Sequence, residues 1–208
     1  MKQIRNTNSD GARPEGSKTA FLVIDMQKAF VEPGAALRIA GAKATVPAIR
    51  CALDAARRAG ARIWWVEREY AADGSDMEKP RRKALESLGI SGVLAPGSTG
   101  LNSVEQPDGL RKEPGDRTII KKRYSAFFGT DLDRQLREEG IETIVLLGTT
   151  TPNCIRSTCY DGISLNYDVV VLEPCCSSNT PEIQRSNMED MERAGAVIIR
   201  LSDLSTVL

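Results

Sequence analysis

At 208 residues the chain is long enough for one α/β domain with a sizeable buried core. Its 28 basic and 28 acidic side chains cancel, which argues against nucleic acid or an anionic membrane surface as the main partner. No apolar run approaches the roughly eighteen residues that a membrane span needs, and histidine is absent, so neither a Ser–His–Asp or Cys–His arrangement nor a His-based zinc site can be built.

Residues 1–18, MKQIRNTNSDGARPEGSK, are polar and lack the apolar segment of a signal peptide. They read as a flexible arm or docking tail ahead of a single domain over 19–208. Thr19 to Ile24 is a continuous apolar run, the pattern of a parallel strand covered on both faces, and Asp25 sits at its C-terminal end. After a loop with Pro33 and Gly34, a helix is predicted from about Thr45 to Ala59, with Pro47 in its first turn and Gly60 as its stop. Ala61 to Val66 is the second strand; Trp64 and Trp65 must point to opposite faces, and one of them is available to line a pocket or a subunit contact.

From Glu67 to Gly115 periodicity is poor, and charges, prolines and glycines abound, with a short helix predicted near Arg81 to Leu88. So long an excursion is a lid, a pocket wall or an oligomer contact, or else a solvated variable loop. Arg117 to Ile120 reads as a third strand running into Lys121, and Thr130-Asp131-Leu132-Asp133 resembles a capping box opening a helix that Gly140 stops. Thr143 to Leu147 is a buried strand, followed by a tight turn and a helix from Cys154 to about Leu165. Asp168 to Leu172 is the fifth strand, Pro181 to Arg193 a helix closed by Gly195, and Val197 to Arg200 a last strand. This alternation predicts an α/β fold: an open, mostly parallel six-stranded sheet with helices on both faces, Rossmann-like in layout.

The five cysteines, Cys51, Cys154, Cys159, Cys175 and Cys176, show no C-x-x-C spacing, so a reduced, cytoplasmic protein is the simplest expectation; adjacent Cys175 and Cys176 read as packing residues. Cys154 differs because a strand delivers it to a helix start, where unpaired amide N–H groups favour thiolate over thiol. Packing remains the bland alternative. In an open α/β sheet ligands bind beyond the carboxyl ends of the strands, and Asp25, Lys121 and Cys154 all fall at such ends. Singly, Asp25 could cap a turn, Lys121 could be one solvated base among Lys121, Lys122 and Arg123, and Cys154 could be core. Together they supply histidine-free chemistry. A carboxylate takes the thiol proton, an ammonium offsets the gathered negative charge, and the sulfur attacks a carbonyl to form a thioester.

In LVIDMQKAF (Leu22–Phe30), KKRYSAFFGT (Lys121–Thr130) and GTTTPNCIRSTCYDG (Gly148–Gly162) the chain resembles the isochorismatase-like cysteine hydrolases, a family that includes nicotinamidases, N-carbamoylsarcosine amidohydrolase and ureidoacrylate amidohydrolase. The resemblance spans roughly Ala20 to Leu201. It implies the isochorismatase-like hydrolase fold and an Asp–Lys–Cys triad of Asp25, Lys121 (with Lys122 the alternative) and Cys154. It also implies a cis peptide at Thr149–Thr150 that turns the Thr150 N–H, beside that of Cys154, toward an oxyanion, and self-association as a dimer or tetramer. The activity it implies is hydrolysis of a carbon–nitrogen bond, other than a peptide bond, in a small amide, carbamoyl or ureido compound. No metal or other cofactor is expected, because the Asp/His metal site of many nicotinamidases cannot form without histidine; nicotinamide is the less favoured substrate for that reason. Retention of Cys154 disfavours, as an alternative, the vinyl-ether hydrolysis of isochorismatases proper. The remaining alternative is a binding or scaffold member retired from catalysis. Phe30, Trp65, Tyr124 and Phe127 are candidate pocket walls, though aromatics of this kind are more often core.

Overall fold

A computed structural model describes residues 16–208. Most of the predicted arm lies outside the described residues; its last three, Gly16–Lys18, form a 3₁₀ turn that leads into the sheet. The strands are β1 (Thr19–Ile24), β2 (Arg62–Arg68), β3 (Arg117–Lys121), β4 (Thr143–Thr149), β5 (Asp168–Ser177) and β6 (Val197–Ile199). They form one sheet in the order β3-β2-β1-β4-β5-β6, and every neighbouring pair is parallel. The helices are α1 (Lys28–Val31), α2 (Ala42–Arg58), α3 (Lys79–Ser87), α4 (Leu132–Glu138), α5 (Arg156–Ser164) and α6 (Pro181–Ala194).

Burial on both faces explains why β1 has no polar alternation: all six of its residues are buried. Ala20, Leu22 and Ile24 pack with Leu136 of α4, Cys159 of α5 and Met191 of α6. Phe21 and Val23 face the other way, onto Ile49, Leu53 and Ala56 of α2. Each such aliphatic side chain removed from water contributes about 1.5–3 kcal/mol, so the two layers fix β1 as the centre of the sheet. After β1 the chain builds outward to β2 and β3, then returns to place β4 on β1's other side. The strand order therefore reverses between β1 and β4, and their carboxyl ends open the crevice where ligands bind in such sheets.

Four local readings change. Helix α2 starts at Ala42, not Thr45, because the chain is already pinned there: Gly41 N–H donates to Ser178 O at 3.1 Å. Pro47 therefore lies in the helix interior, where its missing N–H costs a bond to the preceding turn, and the buried face of Val46, Ile49 and Leu53 holds the helix together. Strands β4 and β5 run on past their apolar stretches, resuming as Gly148 opposite Cys176 and Thr149 opposite Ser177 after an irregularity that Glu173 and Pro174 disguise in the sequence. No capping box forms at α4: Thr130 Oγ1 accepts from Leu132 N–H at 3.3 Å, while the Asp133 carboxylate is taken by Tyr167 OH at 2.7 Å. Finally, a π-helical turn, Thr151–Ile155, precedes α5, so Cys154 sits inside a wide turn rather than at an α-helix start.

Gly148 is what lets β1 and β4 close on each other at their ends. Its φ is +119°, and a Cβ there would lie 2.1 Å from the Ile24 carbonyl oxygen, which is backbone and cannot swing away. Gly148→Ala is therefore expected to lose on the order of 4 kcal/mol of stability, read by urea unfolding; a loss below about 1 kcal/mol would contradict the packing described.

Candidate active site

Asp25 leaves β1 with φ 51°, a left-handed conformation that aspartate adopts more readily than bulkier residues. Its N–H still donates to Val66 O at 2.9 Å, extending the β1–β2 ladder by one rung while the side chain turns into the crevice. Lys121, the last residue of β3, reaches back to it: Nζ lies 2.8 Å from Asp25 Oδ2 and also donates to Arg123 O at 3.2 Å. Both side chains are fully buried, so this ion pair is desolvated and depends on good geometry. Lys122 instead pairs with Asp76 at 3.0 Å on the half-exposed surface, so of the two adjacent lysines it is Lys121 that meets Asp25.

Cys154 arrives from the other side of the crevice, in the π-helical turn. Burial pushes its thiol up from the ordinary value, the charge of Asp25 adds to that, and Lys121 and Arg68 offset only part; a hydrogen bond with Asp25 acts in the same raising direction. Burial thus works against the thiolate that a helix start would favour, and Cys154 lies within a wide turn, beside a carboxylate able to take its proton. Asp25 Oδ1 has no hydrogen-bond partner among the described residues. Thr150, 9% exposed, lies between the end of β4 and the turn, and the Thr149–Thr150 peptide is cis.

Sequence reasoning missed Arg68. The sequence pattern starts the excursion at Glu67 and makes Arg68 a loop charge, whereas β2 continues through it and buries it completely. The Gln27 side chain clamps its backbone in both directions, accepting from Arg68 N–H at 2.8 Å and donating to Arg68 O at 2.9 Å. The guanidinium Nη2 stands 3.3 Å from Cys154 Sγ and 3.7 Å from Asp25 Oδ2; Nη1 donates to Tyr70 OH at 2.7 Å and Glu78 Oε1 at 2.6 Å. Burial works against charge on Arg68, but Asp25 heads the neighbouring groups that outweigh it and keep it protonated. Burial likewise pushes Glu78 up, yet Arg68 and Tyr70 hold its carboxyl below the usual range. The signal available in the sequence was position alone: an arginine at the carboxyl end of a parallel strand.

These groups fill the crevice. Cys154 is 3% exposed; two surface hollows elsewhere run along α2, one lined by Arg50 and Leu53 and the other by Cys51 and Leu204. Of the four aromatic candidates, Tyr124 adjoins the site, its ring 5.7 Å from the Arg68 guanidinium. The other three pack against hydrophobic neighbours. Trp65 is core against α2, with its indole N–H on Asp116 at 2.9 Å, because its odd place in the alternation faces it away. Phe127 stacks on Tyr167 at 5.9 Å, and Phe30 belongs to a small cluster with Tyr70, Leu85 and Leu94.

That cluster anchors the 69–115 segment over the site. Tyr70 N–H donates to Leu94 O at 3.0 Å, and Lys28 N–H to Glu105 O at 2.7 Å. The stretch before α3 is latched by Arg123 to Asp76 O at 2.8 Å and by Glu78 to Arg68.

The isochorismatase domain model matches residues 19–203. A protein of Arabidopsis thaliana named "Probable inactive nicotinamidase" is 38% identical over 91% of this chain and 96% of its own. The ureidoacrylate amidohydrolase RutB of Agrobacterium fabrum is 33% identical over 95% of each. Among solved structures, an isochorismatase family protein from Desulfovibrio vulgaris superposes with a TM-score of 0.86 at 39% identity, over 94% of this chain and 98% of that one. On the parallel sheet with its reversal point between β1 and β4, the domain match and these relatives, the chain belongs to the isochorismatase family.

Proposed function

We propose that the chain is a cysteine hydrolase that cleaves a carbon–nitrogen bond in a small amide, carbamoyl or ureido compound through a thioester on Cys154, without a metal or other cofactor. The observation that carries this reading is the buried meeting of one sulfur, one carboxylate and one ammonium from three distant parts of the chain. The similarity to a ureidoacrylate amidohydrolase supports the substrate class.

In this mechanism the Cys154 proton passes to Asp25 as the sulfur attacks the carbonyl carbon. Asp25 then gives that proton to the departing nitrogen as the carbon–nitrogen bond breaks, leaving the thioester. Water attacks next, losing a proton to Asp25, and the thiol is restored when the thioester opens. Lys121 holds Asp25 in place. The backbone N–H groups of Thr150 and Cys154 receive the carbonyl oxygen as it gains charge; one such donor is worth roughly 3 kcal/mol of barrier.

A screen of small amides, carbamoyl amino acids and ureides, read by ammonia release, tests the proposal. At least one is expected to turn over at a rate that Cys154→Ala removes. A complete blank would favour the second reading, a binding member retired from catalysis, for which the similarity to a relative named inactive speaks.

A further inference from the structure

Arg68 has no part in the three-residue mechanism, yet no side chain in the site is placed more tellingly. Its Nη2 faces both groups between which the proton moves, 3.3 Å from Cys154 Sγ and 3.7 Å from Asp25 Oδ2. Lys121 bonds to the carboxylate at 2.8 Å and to Arg123 O at 3.2 Å, and its charge, like that of Arg68, also favours the ionised sulfur. When the thiol proton moves onto Asp25, the negative charge moves from oxygen to sulfur, and the Arg68 guanidinium already stands in hydrogen-bond contact with the new anion. Nothing has to reorganise, which is the condition under which a fixed charge lowers a barrier most. The guanidinium cannot drift, because Tyr70 and Glu78 hold Nη1 and the Tyr124 ring lies against it.

We propose that Arg68 is a fourth catalytic residue, whose guanidinium holds the negative charge on the Cys154 sulfur as the proton leaves for Asp25. Arg68 keeps all its protons, and no bond to it forms or breaks. Glu78 and Tyr70 are positioning residues that aim it. The inference rests on Cys154 being the nucleophile, but its test needs no substrate.

Arg68→Lys and Arg68→Met shorten the side chain similarly and open similar space, so they differ chiefly in charge. The measurement is the rate at which iodoacetamide alkylates Cys154 between pH 7 and 9, followed on its own peptide to separate it from exposed Cys51. At equal pH the methionine variant is expected to react about tenfold or more slowly than the lysine variant, because thiolate fraction falls tenfold for each pH unit by which the thiol becomes weaker. Equal rates would overturn the inference. If the buried carboxylates left unpaired prevent Arg68→Met from folding, the same pair built on Glu78→Gln gives the comparison with the same two outcomes. A rate difference alongside a blank substrate screen would leave the role of Arg68 standing and remove the amidohydrolase reading. Turnover with equal alkylation rates would do the reverse.

Discussion

Cys154→Ala is expected to lower turnover about 10⁴-fold or more, to the level that the remaining site sustains without a nucleophile. The loss should be nearly pure chemistry. Cys154 packs in the core with Ile155 and Cys159, and removing one sulfur from that layer costs only about 1 kcal/mol, a shift of a few degrees in melting temperature. Kinetics and a melting curve on one preparation separate the two effects. Turnover within tenfold of the parent, on a substrate the parent cleaves, would remove Cys154 from the mechanism.

Asp25→Asn is expected to behave differently because it removes both the proton acceptor and the partner of a buried cation. Turnover should fall on the order of 10³-fold or more, and stability by about 3–5 kcal/mol, since Lys121 is left fully buried without its carboxylate. Adding Lys121→Met removes that stranded charge. The double variant should regain much of the lost stability and none of the lost activity, a non-additivity that urea unfolding and kinetics read independently. If the double variant were less stable than Asp25→Asn by the full cost of a second lesion, the buried pair would not be the coupled unit described here.

Legibility in the sequence followed burial. The central strands announce themselves because both faces are covered: all six residues of β1 are buried, so the apolar run is unbroken. Helix α6 is marked at both ends, by Thr180 Oγ1 accepting from Ile183 N–H at 3.2 Å and by Gly195 at φ 119°. The two lysines could be ordered only by family resemblance, since adjacent residues of one sequence carry no record of which faces the core. Geometry supplied that: a strand's final residue, Lys121, points in, and the next bends out to Asp76.

Three features were hidden for physical reasons. Arg68 looked like a loop charge because a buried arginine is recognisable only by its partners, and these are Cys154, Glu78 and Asp25, contributed by three other segments. The thiol's raised proton affinity depends on burial and on Asp25, neither of which is local to the Gly148–Cys154 turn. The 69–115 segment is held by long-range contacts such as Ala36 N–H to Asn102 Oδ1 at 2.8 Å, so its fit over the crevice leaves no periodic trace.

The most direct measurement on the central claim is hydroxylamine trapping during turnover of whichever amide the screen identifies. A thioester on Cys154 should partition between water and hydroxylamine, so hydroxamate should appear at the expense of the carboxylic acid while Cys154→Ala forms neither. Release of the acid alone at every hydroxylamine concentration, with no acyl group recoverable on the Cys154 peptide, would contradict a covalent intermediate.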